Sequence, residues 1–129
     1  MLLPLRYPRL WLLAAWSLVA VAIFASVMPV QKLPEVATSD KVQHMAAYAM
    51  LAVWFAGIYP KSRYAWIAVG LFILGVAIEG AQGVMGFGRQ ADFYDMAANA
   101  SGIAAGLFAA WLGLGGRAMR VEKALAGRR

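Results

Sequence analysis

The sequence predicts an all-α membrane protein: an antiparallel bundle of four transmembrane helices with both ends of the chain on the cytoplasmic side. Three observations predict it. The 129 residues are 63% hydrophobic and 14% charged, whereas a soluble domain of this size carries about a quarter charged residues. Four apolar runs, each near the ~20 residues that cross a bilayer as a helix, are separated by short segments rich in Pro, Gly or charge. Threaded back and forth, those runs leave nine lysines and arginines on one side and three on the other, the asymmetry that marks the cytoplasmic loops.

Residues 1–116 form the bundle, with spans at about 10–28, 40–59, 64–85 and 92–114, and residues 117–129 form a basic cytoplasmic tail. The leader MLLPLRYPR precedes the apolar run from Leu10 to Met28. A secretory signal peptide is the rival reading, but its apolar core is ordinarily ~7–15 residues, shorter than this run. Pro29 and Pro34 close the first span. Thr38, Ser39 and Asp40 start the second, with Asp40 and Gln43 spaced as in a capping box. Pro60-Lys61-Ser62-Arg63 turns the chain into the third, whose end is loosened by Gly83, Gly86 and Gly88. Asp92 opens the fourth, and Gly113, Gly115 and Gly116 end it. In the tail, Val121 and Leu125 lie four apart among Arg117, Arg120 and Lys123. Two readings stand there: a short helix on the anionic inner leaflet, or a frayed basic end that only fixes orientation.

Composition excludes several classes of function. With no cysteine there is no disulfide, thiolate metal site or cysteine nucleophile, and the single histidine rules out multi-histidine zinc sites. The net charge of +6 flanks apolar spans instead of forming a stripe, so nucleic acid is not an expected partner. Membrane lipids are. The expected location is a membrane that the chain crosses several times with both ends cytoplasmic, and oligomers are compatible with such a chain.

The informative residues are polar groups set inside apolar helices, because each is costly there without a partner or a role. On the threaded topology Asp40, Lys41, His44, Tyr48, Glu79, Gln82, Arg89, Asp92, Asp95 and Asn99 collect at the non-cytoplasmic end. At 1.5 Å per residue His44 lies about 6 Å below the rim, Glu79 about 9 Å, Asn99 about 10 Å and Tyr48 about 12 Å. The faces agree as well. Lys41, His44 and Tyr48 share one side of the second helix, Gly75, Glu79 and Gln82 one side of the third, and Asp92, Asp95, Asn99, Gly102 and Gly106 one stripe of the fourth. Ala98, Gly102, Gly106 and Ala110 form a small-residue ladder that admits a neighbouring helix.

Alternatives weigh on each residue. Asp40 and Asp92 can act simply as helix caps, Tyr48 and the tryptophans as packing and interface anchors, and Arg89 as the partner of Asp92. Glu79 resists such readings best. Two cations facing four carboxylates leave the cluster near −2 with His44 neutral. That balance suits a protonated carboxyl, a mutually satisfied network, or a hard divalent cation such as Mg²⁺ or Ca²⁺ held by Glu79, Asp92 and Asp95.

At these residues the chain resembles the VanZ-like family of small bacterial membrane proteins. The matching pieces are Asp40-Lys41-x-x-His44-x-x-x-Tyr48, Glu79-x-x-Gln82, and Arg89-x-x-Asp92-x-x-Asp95-x-x-x-Asn99-x-x-Gly102 with Gly106, spanning residues 40–106. The resemblance implies a polytopic envelope protein, in a family whose founding member is associated with resistance to the glycopeptide teicoplanin; it implies no settled reaction. Met45 stands where an aromatic is common, and the loop GVMGFG lacks the proline often found before the arginine, so the reach of Arg89 is less constrained.

The leading expectation is therefore binding of an envelope lipid or lipid-linked head group, a lipid-linked cell-wall precursor or a glycopeptide among the candidates, by Lys41, His44, Tyr48, Glu79, Gln82, Arg89, Asp92, Asp95 and Asn99. The alternative is an intramembrane hydrolase or transferase using metal-activated water, since Ser39 reads as a cap and Ser101 as deep among small residues. A small transporter or an assembly partner completes the set.

Overall fold

The computed structural model describes residues 1–28, 39–85 and 92–127. It is all-α, with four long helices and a short C-terminal one: α1 (Pro8–Val27), α2 (Asp40–Ile58), α3 (Tyr64–Met85), α4 (Phe93–Ala109) and α5 (Arg117–Ala126). A 3₁₀ turn, Lys61–Arg63, leads into α3, and a π turn, Ala110–Leu114, follows α4.

α1 begins two residues before the apolar run because Pro8 takes the first turn, where its missing N–H costs nothing and its φ is already helical. Ser39, not Asp40, is the N-cap of α2; its side chain accepts the N–H of Val42 at 3.4 Å. Asp40 is already helical, which leaves its carboxylate free of the capping role that its spacing from Gln43 suggests. Asp92 does cap α4, accepting the N–H of Tyr94 at 2.8 Å. Regular α-helix then ends at Ala109, five residues short of the expected 114, and Gly113 (φ +152°) and Gly116 (φ +67°) turn the chain.

Contacts between helix ends give the arrangement. Trp11 of α1 packs on Trp54 of α2 at 5.9 Å, and the N–H of Leu3 donates to the carbonyl of Ile58 at 3.0 Å. At the far end Gln82 of α3 reaches the carbonyl of Ser26 in α1. Consecutive long helices thus run in opposite directions, with α2 parallel to α4. These two make the most extensive helix pair in the fold. A Cβ at Gly102 would stand 2.2 Å from the Met45 carbonyl oxygen, and one at Gly106 2.4 Å from that of Ala49. Only glycine permits that approach, and it brings the polar starts of both helices side by side.

Among the described residues, three segments are long and apolar enough to cross a membrane: α1, the stretch from Lys61 to Met85, and the stretch beginning at Phe93. α2 is the exception, because Asp40, Lys41, Gln43 and His44 crowd its first turns. It packs against α1, α3 and, most extensively, α4, and Tyr48, Leu51, Ala52, Ala56 and Ile58 along it are buried. Elsewhere the outside is apolar: Leu13, Trp16, Val21, Trp66, Ile73 and Phe108 are all at least 60% exposed.

The C-terminal segment is a docked helix, not a frayed end. Ala118 is buried beside Ala15 and Ile58. Arg120 donates to the carbonyls of Gly113 and Gly115 at 2.6 and 3.0 Å.

Candidate functional site

The parallel start of α2 and α4 puts Lys41 beside two carboxylates. Its ammonium donates to Asp92 and to Asp95 at once. Asp92 therefore serves two partners, one oxygen capping α4 through Tyr94 and the other holding Lys41. Asp95, one turn deeper, is 6% exposed. The Arg89–Asp92 pair suggested by sequence spacing involves a residue, Arg89, that lies outside the described residues.

His44 sits one turn below Lys41, its side chain 10% exposed. Nδ1 lies 3.1 Å from Oδ1 of Asn99, an acceptor, so Nδ1 carries the proton. Nε2 then faces Oδ2 of Asp40 at 3.6 Å and Oδ2 of Asp95 at 3.8 Å. Nε2 and these two carboxylate oxygens face one another as potential ligand atoms.

α3 closes the third side. Glu79 is 3% exposed, and one of its oxygens accepts the backbone N–H of Asp92 at the head of α4. Its other oxygen is buried and has no hydrogen-bond partner among the described residues, and neither has the hydroxyl of Tyr48. Gly75, one turn from Glu79, is where these groups meet: a Cβ there would lie 3.1 Å from Nδ2 of Asn99 and 3.2 Å from the Tyr48 hydroxyl. Gln82 is buried too, but its amide donates to the Ser26 carbonyl at 2.8 Å and ties α3 to α1.

No family model, curated protein or solved structure matches this chain.

The described cluster thus joins Lys41, His44 and Tyr48 of α2, Glu79 of α3, and Asp92, Asp95 and Asn99 of α4. Lys41 is its one described lysine or arginine, against Asp40, Glu79, Asp92 and Asp95. Among the described residues, the acidic or histidine groups close enough to hold one ion are Asp40, His44 and Asp95, whose ligand atoms all lie within 4.8 Å of one another. In the set Glu79, Asp92 and Asp95, by contrast, the first carboxylate takes a backbone N–H and the other two share Lys41. Ser101, expected deep in the bundle, is exposed on the outer face of α4, and its hydroxyl donates to the Ala97 carbonyl at 2.8 Å.

At the opposite end Glu122 of α5 is the residue that sequence reasoning missed. Its carboxylate accepts the N–H groups of Arg6 and Tyr7 at 2.6 and 2.9 Å and the Trp11 indole N–H at 2.9 Å. Desolvation alone would push its pKa up, but those three donors outweigh it and the net shift is downward. A lone acid in a basic tail gives no sequence signal of this, since its partners lie more than a hundred residues away.

Proposed function

We propose that the chain is a VanZ-like integral protein of the bacterial cytoplasmic membrane, and that it binds the head group of an envelope lipid or lipid-linked precursor. In this reading all four long helices cross the bilayer as an antiparallel bundle, α2 included because its neighbours cover it. Both termini are cytoplasmic, as the distribution of lysine and arginine requires, and α5 lies outside the membrane span. The polar cluster then opens toward the outer leaflet.

The observation that carries this reading is the pair of buried, unpartnered groups, the second oxygen of Glu79 and the Tyr48 hydroxyl. Buried polar atoms ordinarily have partners, and a head group sliding in between α2, α3 and α4 supplies them. The surplus of carboxylates argues for hydroxyl or ammonium donors over a bare anion. A sugar or an amine-bearing head group meets that chemistry, and exposed Phe93 and Tyr94 beside the site give the attached tail an apolar wall. Native mass spectrometry of the protein extracted in mild detergent tests it. Retained lipid should be lost in Glu79→Ala and in Tyr48→Phe while both variants keep their helical circular dichroism; unchanged adducts in both contradict the reading.

A second reading is favoured by the Asp40, His44 and Asp95 donors. One imidazole and two carboxylates suit a borderline divalent ion such as Zn²⁺ or Mn²⁺ better than Mg²⁺ or Ca²⁺. Such an ion would supply an activated water for hydrolysis of a lipid-linked ester or phosphoester. In that case Asn99 fixes the imidazole through Nδ1, and Lys41 holds Asp95 from its other oxygen. Metal analysis after dialysis against Zn²⁺ or Mn²⁺ decides: stoichiometric retention lost in His44→Ala supports it, and no retention removes it.

A further inference from the structure

A cavity lies along the side of the bundle, from Arg63 at the end away from the polar cluster up to Ala77. It is a groove of about 650 Å³ between α1 and α3, floored by α2, within the roughly 300–1,000 Å³ range of small-molecule sites. Trp16 and Val19 form one wall, Phe55 the floor, and Ile67 and Leu74 the other wall, with Arg63 at its mouth. We propose that this groove holds one acyl chain of an anionic phospholipid of the inner leaflet, with the lipid phosphate against Arg63.

Three features support that occupant. The lining is almost wholly apolar and elongated along α3 from Trp66 to Ala77, as a hydrocarbon chain requires. Gly70 leaves the groove open, since a Cβ built there meets nothing within 4 Å. The third is charge. Arg63 makes no ion pair among the described residues, and the one described carboxylate at this end, Glu122, is held by the amides of Arg6 and Tyr7. The other described carboxylates all belong to the polar cluster at the far end. A counter-anion for Arg63 must come from outside the described chain, and a phosphate bound by a guanidinium through two hydrogen bonds fits. Lys61, two residues away, adds to the attraction for an anionic leaflet.

This inference rests on the membrane-spanning, cytoplasmic-termini reading given above, and the test separates the two. The purified protein is titrated with phosphatidylglycerol and, separately, diacylglycerol of the same chains, which lacks the phosphate, and adducts are counted by native mass spectrometry. Phosphatidylglycerol should bind roughly tenfold more tightly, the scale of a charge-assisted hydrogen bond. Arg63→Gln should erase that preference while leaving residual binding of both lipids. Gly70→Leu, a change that raises helix propensity and fills open space, should abolish both. Equal retention of the two lipids by the native protein, or full retention by Gly70→Leu, overturns the proposal. So does a dimer that Gly70→Leu dissociates, which would give the groove to a second copy. Failure of the underlying reading looks different: the expressed protein would be recovered without detergent in the soluble fraction.

Discussion

His44 of α2 and Asn99 of α4 meet with 3.1 Å between Nδ1 and Oδ1, and through this contact two helices more than fifty residues apart in sequence set the orientation of one imidazole. The geometry fixes Nδ1 as the protonated nitrogen and turns Nε2 toward Asp40 and Asp95. Nitrogen-15 NMR of the single histidine reads this directly. The native protein should show a hydrogen-bonded Nδ1–H, and Asn99→Leu should lose it and destabilise the fold by about 1–3 kcal/mol, the cost of a buried polar group left unsatisfied. An unchanged imidazole spectrum in Asn99→Leu contradicts the arrangement.

The α2–α4 contact depends on two positions without side chains. Gly102→Ala places a Cβ against the backbone oxygen of Met45, a rigid neighbour that cannot rotate away. The helices must separate, at a cost of about 1–3 kcal/mol for overpacking. The thermal midpoint in detergent should fall, whereas Gly80→Ala, where a Cβ meets nothing, should leave it unchanged or raise it. Equal midpoints for the two variants would mean that α2 and α4 are not in close contact.

Glu122 ties the C-terminal helix to the head of α1, and its pKa is lowered in the folded state. A carboxylate with a depressed folded pKa contributes stability above its unfolded value, ordinarily 4.5, and that contribution is lost as pH falls through the folded one. Hydrogen exchange at the Arg6 and Tyr7 amides should therefore be slow near neutrality and accelerate, beyond the intrinsic effect of pH, once the medium is taken below that range. Glu122→Ala should exchange rapidly at every pH. Slow exchange in the variant would show that something else protects those amides.

Much of this is legible in the sequence because polar residues set inside apolar helices stand out. Lys41, His44 and Tyr48 on one helix, and Asp95, Asn99, Gly102 and Gly106 on another, recur at helical spacing, and that periodicity alone gave their faces. Three of the four long helices follow from apolar runs of spanning length, and α2 from its capping residues and the apolar run after His44. What periodicity does not carry is pairing across helices. Nothing local says that Lys41 takes both Asp92 and Asp95, that Gln82 turns away to Ser26, or that Glu122 holds the start of α1. Ser39 and Asp40 are both good caps for α2, and only backbone geometry separates them. The depth of Ser101 is not legible either, because a small residue beside a glycine ladder can lie on either side of it, and Ser101 is exposed.

The account stands on the convergence of α2 and α4 beneath one end of the bundle. Its most direct test uses the absence of native cysteines. Cysteine pairs His44→Cys with Asn99→Cys, and His44→Cys with Ala109→Cys as a control ten residues further along α4, are treated in native membranes with a short bis-methanethiosulfonate cross-linker and read by intact mass. The first pair should be bridged within one chain and the control should not. Bridging of both pairs alike, or of neither, would contradict a shared polar site formed by these two helices.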